Sequence, residues 1–196
     1  MARKAWILVL AMGLAVAAAA QTETWQLDPA HTAAQFAVRH MGISTVRGNF
    51  TKLSGTVQYD PSDPSKSSID ATIDAASVDT RVEMRDNDLR SPKFFDVAKF
   101  PTITFKSKRV EPAGAGNLKV TGDLTMHGVT KEVVLNVEGP SEPIKDPRGN
   151  SHMGASATTT VNRRDFGVGA IPAAVVSENV AITLDLELVK QGATKQ

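Results

Sequence analysis

The chain has 196 residues, enough for one domain, and 41% hydrophobic content with 14 Gly and 10 Pro is the composition of an ordinary globular protein with a real core. Lys and Arg number 22 against 21 Asp and Glu, a net charge of +1, so the basic footprint of a nucleic-acid binder is missing and no nucleic-acid partner is expected. With no cysteine, disulfides, thiolate metal clusters and cysteine nucleophiles are excluded.

The first twenty residues, MARKAWILVLAMGLAVAAAA, are a different material from the rest. Arg3 and Lys4 precede an apolar run from Trp6 to Val16, and Ala18-Ala19-Ala20 offers a small-residue cleavage pattern before Gln21. This pattern predicts a secretory signal peptide over residues 1–20 and a mature domain over residues 21–196. Without Arg3 and Lys4 the balance is 20 basic against 21 acidic, a net charge of −1. An exported, cysteine-free chain fits a bacterial periplasm or the medium. No later apolar stretch is long enough for a membrane-spanning helix.

Period-two patterning then runs through most of the chain. Ala34, Phe36, Val38 and His40 alternate with other residues, and Ile43 to Thr51 and Leu53 to Tyr59 read as further strands. Ile69, Ala71, Ile73 and Ala75 follow the same period. One helix interrupts, from Thr80 to Ser91. Thr80 and Glu83 match a capping box, Ser91-Pro92 stops the run, and Asp86 and Arg90 are spaced to pair on one face. Its apolar face is thin, chiefly Val82 and Leu89, so it is expected to lie over a barrel end. Ile103 and Phe105, Leu118 to Met126, Thr130 to Glu138 and Met153 to Val161 are the next strands. The plainest is the last, where Val180, Ile182, Leu184, Leu186 and Leu188 share one face. Turn residues such as Asp60-Pro61, Asp63-Pro64 and His127-Gly128 separate them. Roughly eight to ten short strands predict an all-β antiparallel barrel or sandwich.

Catalytic motifs are missing: no G-x-S-x-G elbow, H-E-x-x-H, P-loop or post-strand G-x-G-x-x-G occurs. His31, His40, His127 and His152 have no metal-ligand spacing, so neither a metal nor a cofactor is expected. His31 and His40 could share a site only if the fold brings them together. The Arg85 to Arg90 run reads first as a solvated helix face. A small barrel without catalytic residues can still hold one apolar ligand. Ala34, Ala71, Ala75, Gly122, Ala155 and Ala157 are small inward candidates, and aromatics are only 5%, which leans towards a cavity over a plain packed core.

Several stretches in succession resemble the YceI-like family: WQLDPAHTAAQFAVRHMGISTVRGNF from Trp25, SVDT from Ser77, RDNDLRSPKFFDVAKFPTITF from Arg85, VTGDLTMHGVTKEVVL from Val120, NRRDFGVG from Asn162 and ENVAITLDLELVK from Glu178. The resemblance implies an extended, antiparallel, lipocalin-like β-barrel of about eight strands with a short helix near its mouth. It implies a periplasmic or secreted, usually dimeric protein that binds a long isoprenoid chain, such as a polyprenyl phosphate or a quinone tail, and is not an enzyme. With the strand phase, it nominates Phe36, Val38, His40, Ala71, Ile73, Arg85, Ile103, Phe105, Leu124, Phe166, Ile182 and Leu184 as ligand-binding. The alternative reading is an enzyme acting on such a lipid through His40 with Arg85 or Asp86. Two departures stand out: Asp88 replaces the family's usual His, and the Val168 to Val176 segment is short and lacks the common Trp. Arg39, Arg81, Arg85 and Arg90 are candidates for a head group, partly cancelled by Asp86 and Asp88, so a lipid with a neutral head is expected to bind as well.

Overall fold

A computed structural model describes residues 22–192. The signal peptide expected over residues 1–20 lies outside the described residues. In chain order the elements are β1 (Glu23–Leu27), β2 (Ala33–His40), β3 (Ser44–Phe50), β4 (Leu53–Tyr59), β5 (Ser68–Asp74), β6 (Val78–Asp79), α1 (Glu83–Arg90), β7 (Thr102–Pro112), β8 (Asn117–Met126), β9 (Val129–Glu138), β10 (Ile144–Lys145), β11 (Ser151–Asn162) and β12 (Asn179–Lys190).

Eight strands close into an antiparallel barrel, in the order β11, β9, β8, β7, β5, β4, β1, β12 and back to β11. Closure removes the exposed edges that an open sheet would present. The long strand β12 carries it. One of its edges pairs with β11 from Asn179 to Val189, and the other is shared. Leu188 to Lys190 pair with β1, whereas Ala181 to Asp185 pair with β2. Strands β2, β3 and β6 therefore continue the wall above the short β1. β1 itself was not anticipated from the sequence. Five residues are too few for alternation to stand out, yet its Trp25 is wholly buried.

The core falls into three clusters that β12 links in order. Ile182 packs with Phe94, Ile103, Met126 and Phe166 at the upper end, and Leu184 with Val110, Val120 and Leu135 in the middle. Leu188 packs with Trp25 and Met153 at the lower end. Ala75 departs from the strand reading. It starts a 3-10 turn, Ala75–Ser77, and is fully buried in the upper cluster.

The helix forms with different capping from that expected. Val82 is its N-cap and makes no side-chain cap bond, so the Thr80–Glu83 capping box is not made. Instead, buried Asp86 accepts from the Thr80 N–H at 2.8 Å and from its hydroxyl at 2.5 Å. A carboxylate taken out of water needs such donors, and this one turns back onto its own entry loop. The expected Asp86–Arg90 pair is also absent. Arg90 instead donates to the Ala76 and Val78 carbonyls, and Arg85 to the Thr80 hydroxyl and carbonyl. The Arg85 to Arg90 run is thus a tether of the helix rather than a solvated face. Leu89 packs inward as expected, but Val82 is exposed.

Two polar devices hold loops at opposite ends. Arg163, 4% exposed, donates all its N–H groups to backbone carbonyls of Val168, Gly169, Ile171, Val176 and Ser177. No carboxylate bonds to it, and burial lowers its pKa. It ties the segment after the Arg163–Phe166 turn across the upper rim. At the lower end His152 sits between Glu187, 2.8 Å from Nδ1, and Asp146, 3.4 Å from Nε2. The Glu187 bond, then the Asp146 bond, raises the His152 pKa against opposing burial. Asn150, backbone N–H donors and His152 pull Asp146 down to about 2.

Replacing Arg163 with Met orphans several carbonyls at once, each costing about 1–3 kcal/mol where water cannot reach it. We expect a loss of about 3 kcal/mol in a urea titration at unchanged slope. A shift below about 1 kcal/mol would mean that the rim segment holds itself.

The raised His152 pKa also sets a sign. Its contribution is complete below the unfolded value near 6.5 and is lost as pH rises through the folded value. The Asp146 contribution is present above 3.8 and fades as pH falls towards 2. His31, raised chiefly by its bond to Asp28, acts in the same direction as His152. The melting temperature should therefore fall as pH rises above about 6.5, and His152→Gln should flatten part of that fall. Identical profiles for the two proteins would show that the His152 bonds add nothing to stability.

Candidate functional site

The barrel holds a cavity of about 270 Å³ lined chiefly by apolar side chains. That is far more than the roughly 10–15 Å³ that admits one water molecule. The wall runs through all three core clusters. At the lower end it is made by Leu27, Val57, Tyr59, Met153 and Leu188, and midway by Ile69, Ala71, Phe105, Leu124, Ala157 and Leu184. At the upper end it is made by Phe36, Val38, Phe50, Ile73, Leu89, Phe95, Ile103, Val176 and Ile182.

Two glycines explain how aromatic rings fit without filling this space. A Cβ on Gly122 would stand 2.5 Å from Phe105 Cζ, and one on Gly48 would stand 2.4 Å from Phe36 Cζ. Each ring lies flat over a glycine of the neighbouring strand, where a side chain would push it into the lumen. Phe36, Phe50 and Phe95 then form a chain with centroid separations of 5.8 and 5.6 Å. This aromatic ridge and Leu89 close the upper end beneath the helix.

Of the residues nominated from the sequence, Phe36, Val38, Ala71, Ile73, Ile103, Phe105, Leu124, Ile182 and Leu184 lie on this wall. Phe166 packs into the upper core instead, 2% exposed and off the wall. Arg85 lines a separate outer groove with Val82, Met84 and Asp88. His40 ends β2, bridged to Val176 on the rim. Among the described residues no hydrogen bond or ion pair joins His40 to Arg85 or Asp86. Asp86 is bound within its own loop, so the three do not make a catalytic cluster. His31 and His40 are held apart by the eight residues of β2, which span roughly 23 Å. Ala34, Ala155 and Ala157 reach the wall as small residues, whereas Ala75 does not.

The residues missed include Ile69, Val110, Val120 and Leu135 midway, and those of the two ends: Leu27, Val57 and Tyr59 below, Leu89 and Phe95 above. The Trp25-x-Leu27 alternation was the available signal for the lower end. Nothing local marks Phe94-Phe95, since a Ser-Pro-Lys-Phe-Phe turn does not say where its rings go.

Of the head-group candidates Arg39, Arg85 and Arg90 are occupied, whereas the Arg81 side chain makes no hydrogen bond or ion pair among the described residues. Arg39 donates to the Gly42 carbonyl at 2.7 Å and the Thr45 hydroxyl at 2.8 Å. Arg85 and Arg90 are spent on backbone and Thr80, as above. Asp88 does not sit against these arginines but pairs with Lys93 at 3.3 Å. Among the described residues one trio has metal-donor spacing: Asp28, His31 and Glu187, with ligand atoms within 4.8 Å of one another. It lies at the lower end, where Glu187 faces away from the lumen, and its members are already bonded to one another and to His152.

The YceI-like domain matches the chain over residues 25–188. A UPF0312 protein of Vibrio cholerae is 36% identical over 195 residues, covering 95% of this chain and 98% of the relative. Among solved structures, BcnA of Burkholderia cenocepacia is 26% identical with a TM-score of 0.76, over 82% of this chain and 98% of that one. A polyisoprenoid binding domain from Saccharophagus degradans is 18% identical with a TM-score of 0.63, over 85% and 98%, a likeness of fold alone. Match, identity and barrel agree that this chain belongs to the YceI-like family.

Proposed function

We propose that the protein binds a long isoprenoid lipid in its barrel cavity and acts as a carrier or store, not as an enzyme. The observation that carries this is the apolar cavity. Core volume left unfilled costs roughly 24 cal/mol per Å³, on the order of 6 kcal/mol for about 270 Å³. That is comparable with the roughly 5–15 kcal/mol stability of a whole domain. A slender apolar guest offsets that cost, and each isoprene unit offers about 4 kcal/mol gross at about 0.8 kcal/mol per buried CH₂. Ordering and association consume part of it. The polyisoprenoid binding domain of Saccharophagus degradans supports the choice of lipid, since it has the same fold.

Among the described residues the wall is chiefly apolar and His40, Arg85 and Asp86 are not joined at it, which favours binding over catalysis. Residues 1–20 read as a signal peptide, so the same proposal places the mature protein in the periplasm. A homodimer is its expected assembly. The head group is left to the rim. Arg39, Arg85 and Arg90 are committed to backbone and hydroxyl partners, which leaves few cations for a phosphate and supports the acceptance of neutral heads such as quinones beside prenyl phosphates.

Ala71 faces Phe105 across the β5–β7 ladder, midway along the wall. Ala71→Phe is expected to fill the lumen and weaken a prenylquinone by at least about tenfold, while circular dichroism stays that of a β-barrel. Tightening with each added isoprene unit, then a plateau, is the expected pattern of the wild type. Undiminished binding by a folded Ala71→Phe protein would overturn the cavity as the binding site.

A further inference from the structure

We propose that the β2–β3 hairpin tip is a docking surface for a bilayer of anionic phospholipid. The tip turns through His40-Met41-Gly42-Ile43, closed by the Ile43 N–H donating to the His40 carbonyl at 3.1 Å. Met41 has φ of 50° and Gly42 of 71°, the left-handed pair of a type I′ turn. Asn or Asp is the residue that suits the first of these positions, because a larger side chain there is strained. Here that position holds Met, and packing does not repay the strain, for Met41 is 59% exposed and Ile43 is 80% exposed. A local rule broken without a folding gain marks a position kept for something outside the fold.

The tip does not stand alone. The Met41 N–H donates to the Val175 carbonyl at 2.8 Å, and Val175 is itself 40% exposed. Their neighbours Val38 and Val176 lie on the cavity wall. The tip thus adjoins the upper end of the cavity wall through Val175 and Val176. Within the two segments that form the tip the charge is of one sign, the nearest acid across β3 being Asp79 opposite Asn49. From Ala33 to Tyr59 the chain has no Asp or Glu, and neither has Gly167 to Ser177. Within the first stretch Arg39 braces the turn through its bonds to Gly42 and Thr45. Arg47 is exposed and makes no hydrogen bond or ion pair among the described residues. The nearest acid along β12, Glu178, is taken by Arg164 at 2.7 Å. Large apolar side chains flanked by unneutralised arginines fit the interface of an anionic bilayer, where each basic residue adds attraction. A second copy of the chain is a poorer fit, since a stable interface needs roughly 800 Å² per partner and would bring these arginines together.

The inference rests on the proposed lipid binding for its purpose, because it places the lumen's upper end against the membrane that holds such a lipid. Its test is independent of that reading. The mature protein is sedimented with phosphatidylcholine vesicles and with vesicles containing about one third phosphatidylglycerol. We expect at least about tenfold tighter binding to the anionic vesicles, weakened by salt. Met41→Ser with Ile43→Ser should abolish it, and Arg47→Gln should remove much of the anionic preference, both with prenylquinone affinity unchanged. Lack of vesicle binding by the wild type, or binding that survives the double substitution, overturns the proposal. So does a wild-type dimer that the double substitution splits without any vesicle binding, which would make the tip a self-interface. Loss of quinone binding in every protein, with vesicle docking intact, would sink the proposed cargo and leave the docking surface standing.

Discussion

Closure of the sheet through β12 is the constraint from which the other features follow. An eight-stranded antiparallel ring satisfies the backbone N–H and C=O groups of its strands within the ladder. It also commits every second side chain to the inside. With those inward positions filled by Ala34, Ala71, Ala155, Ala157 and Gly122 among larger residues, the lumen cannot be packed solid. The two glycines under Phe36 and Phe105 extend this logic, because they let rings line the wall rather than block it. The cavity is thus written into the strands themselves, not into a loop that could close over it.

A barrel with a soft interior needs its ends held, and the polar residues are spent there. Arg163 gathers five carbonyls of the upper rim, Asp86 and Thr80 lock the loop entering the helix, and His152 joins β12 to the loop before β11. Of these groups only Arg163 reaches the cavity wall, at the upper end, while the ends are pinned. This division explains why burying Arg163 without a carboxylate partner is tolerated. Its charge is met by dipoles of the very segment that it positions.

The strands were legible because period-two alternation is strong where one face is buried. The β12 residues Val180 to Leu188 show it without interruption, and the direction of their side chains followed from phase alone. The helix was legible as an element but not in its bonding. Thr80 and Glu83 match a capping box by spacing, yet the bond that forms goes from Thr80 to Asp86, six residues away. Arg163 was invisible, since its partners are carbonyls, which any residue carries. The lower end of the cavity was missed because β1 is short and pairs with strands far away in the chain, and short segments carry too few alternations to read. His40 and Arg85 were drawn into one site by chemistry alone, whereas Arg85 is turned onto Thr80 and His40 onto the Val176 bridge.

The two ends of the barrel differ in charge as well as shape. Asp28, Asp146 and Glu187 lie at the lower end, and the opposite tip carries Arg39 and Arg47 with exposed Met41 and Ile43. The central claim is that the lumen holds an isoprenoid chain, and native mass spectrometry of protein purified from its own cells tests it most directly. The account predicts one bound molecule per chain, released by organic solvent and identified by fragments spaced by isoprene units. Protein that carries only straight-chain lipids, or that takes up no isoprenoid when offered one after delipidation, would contradict it.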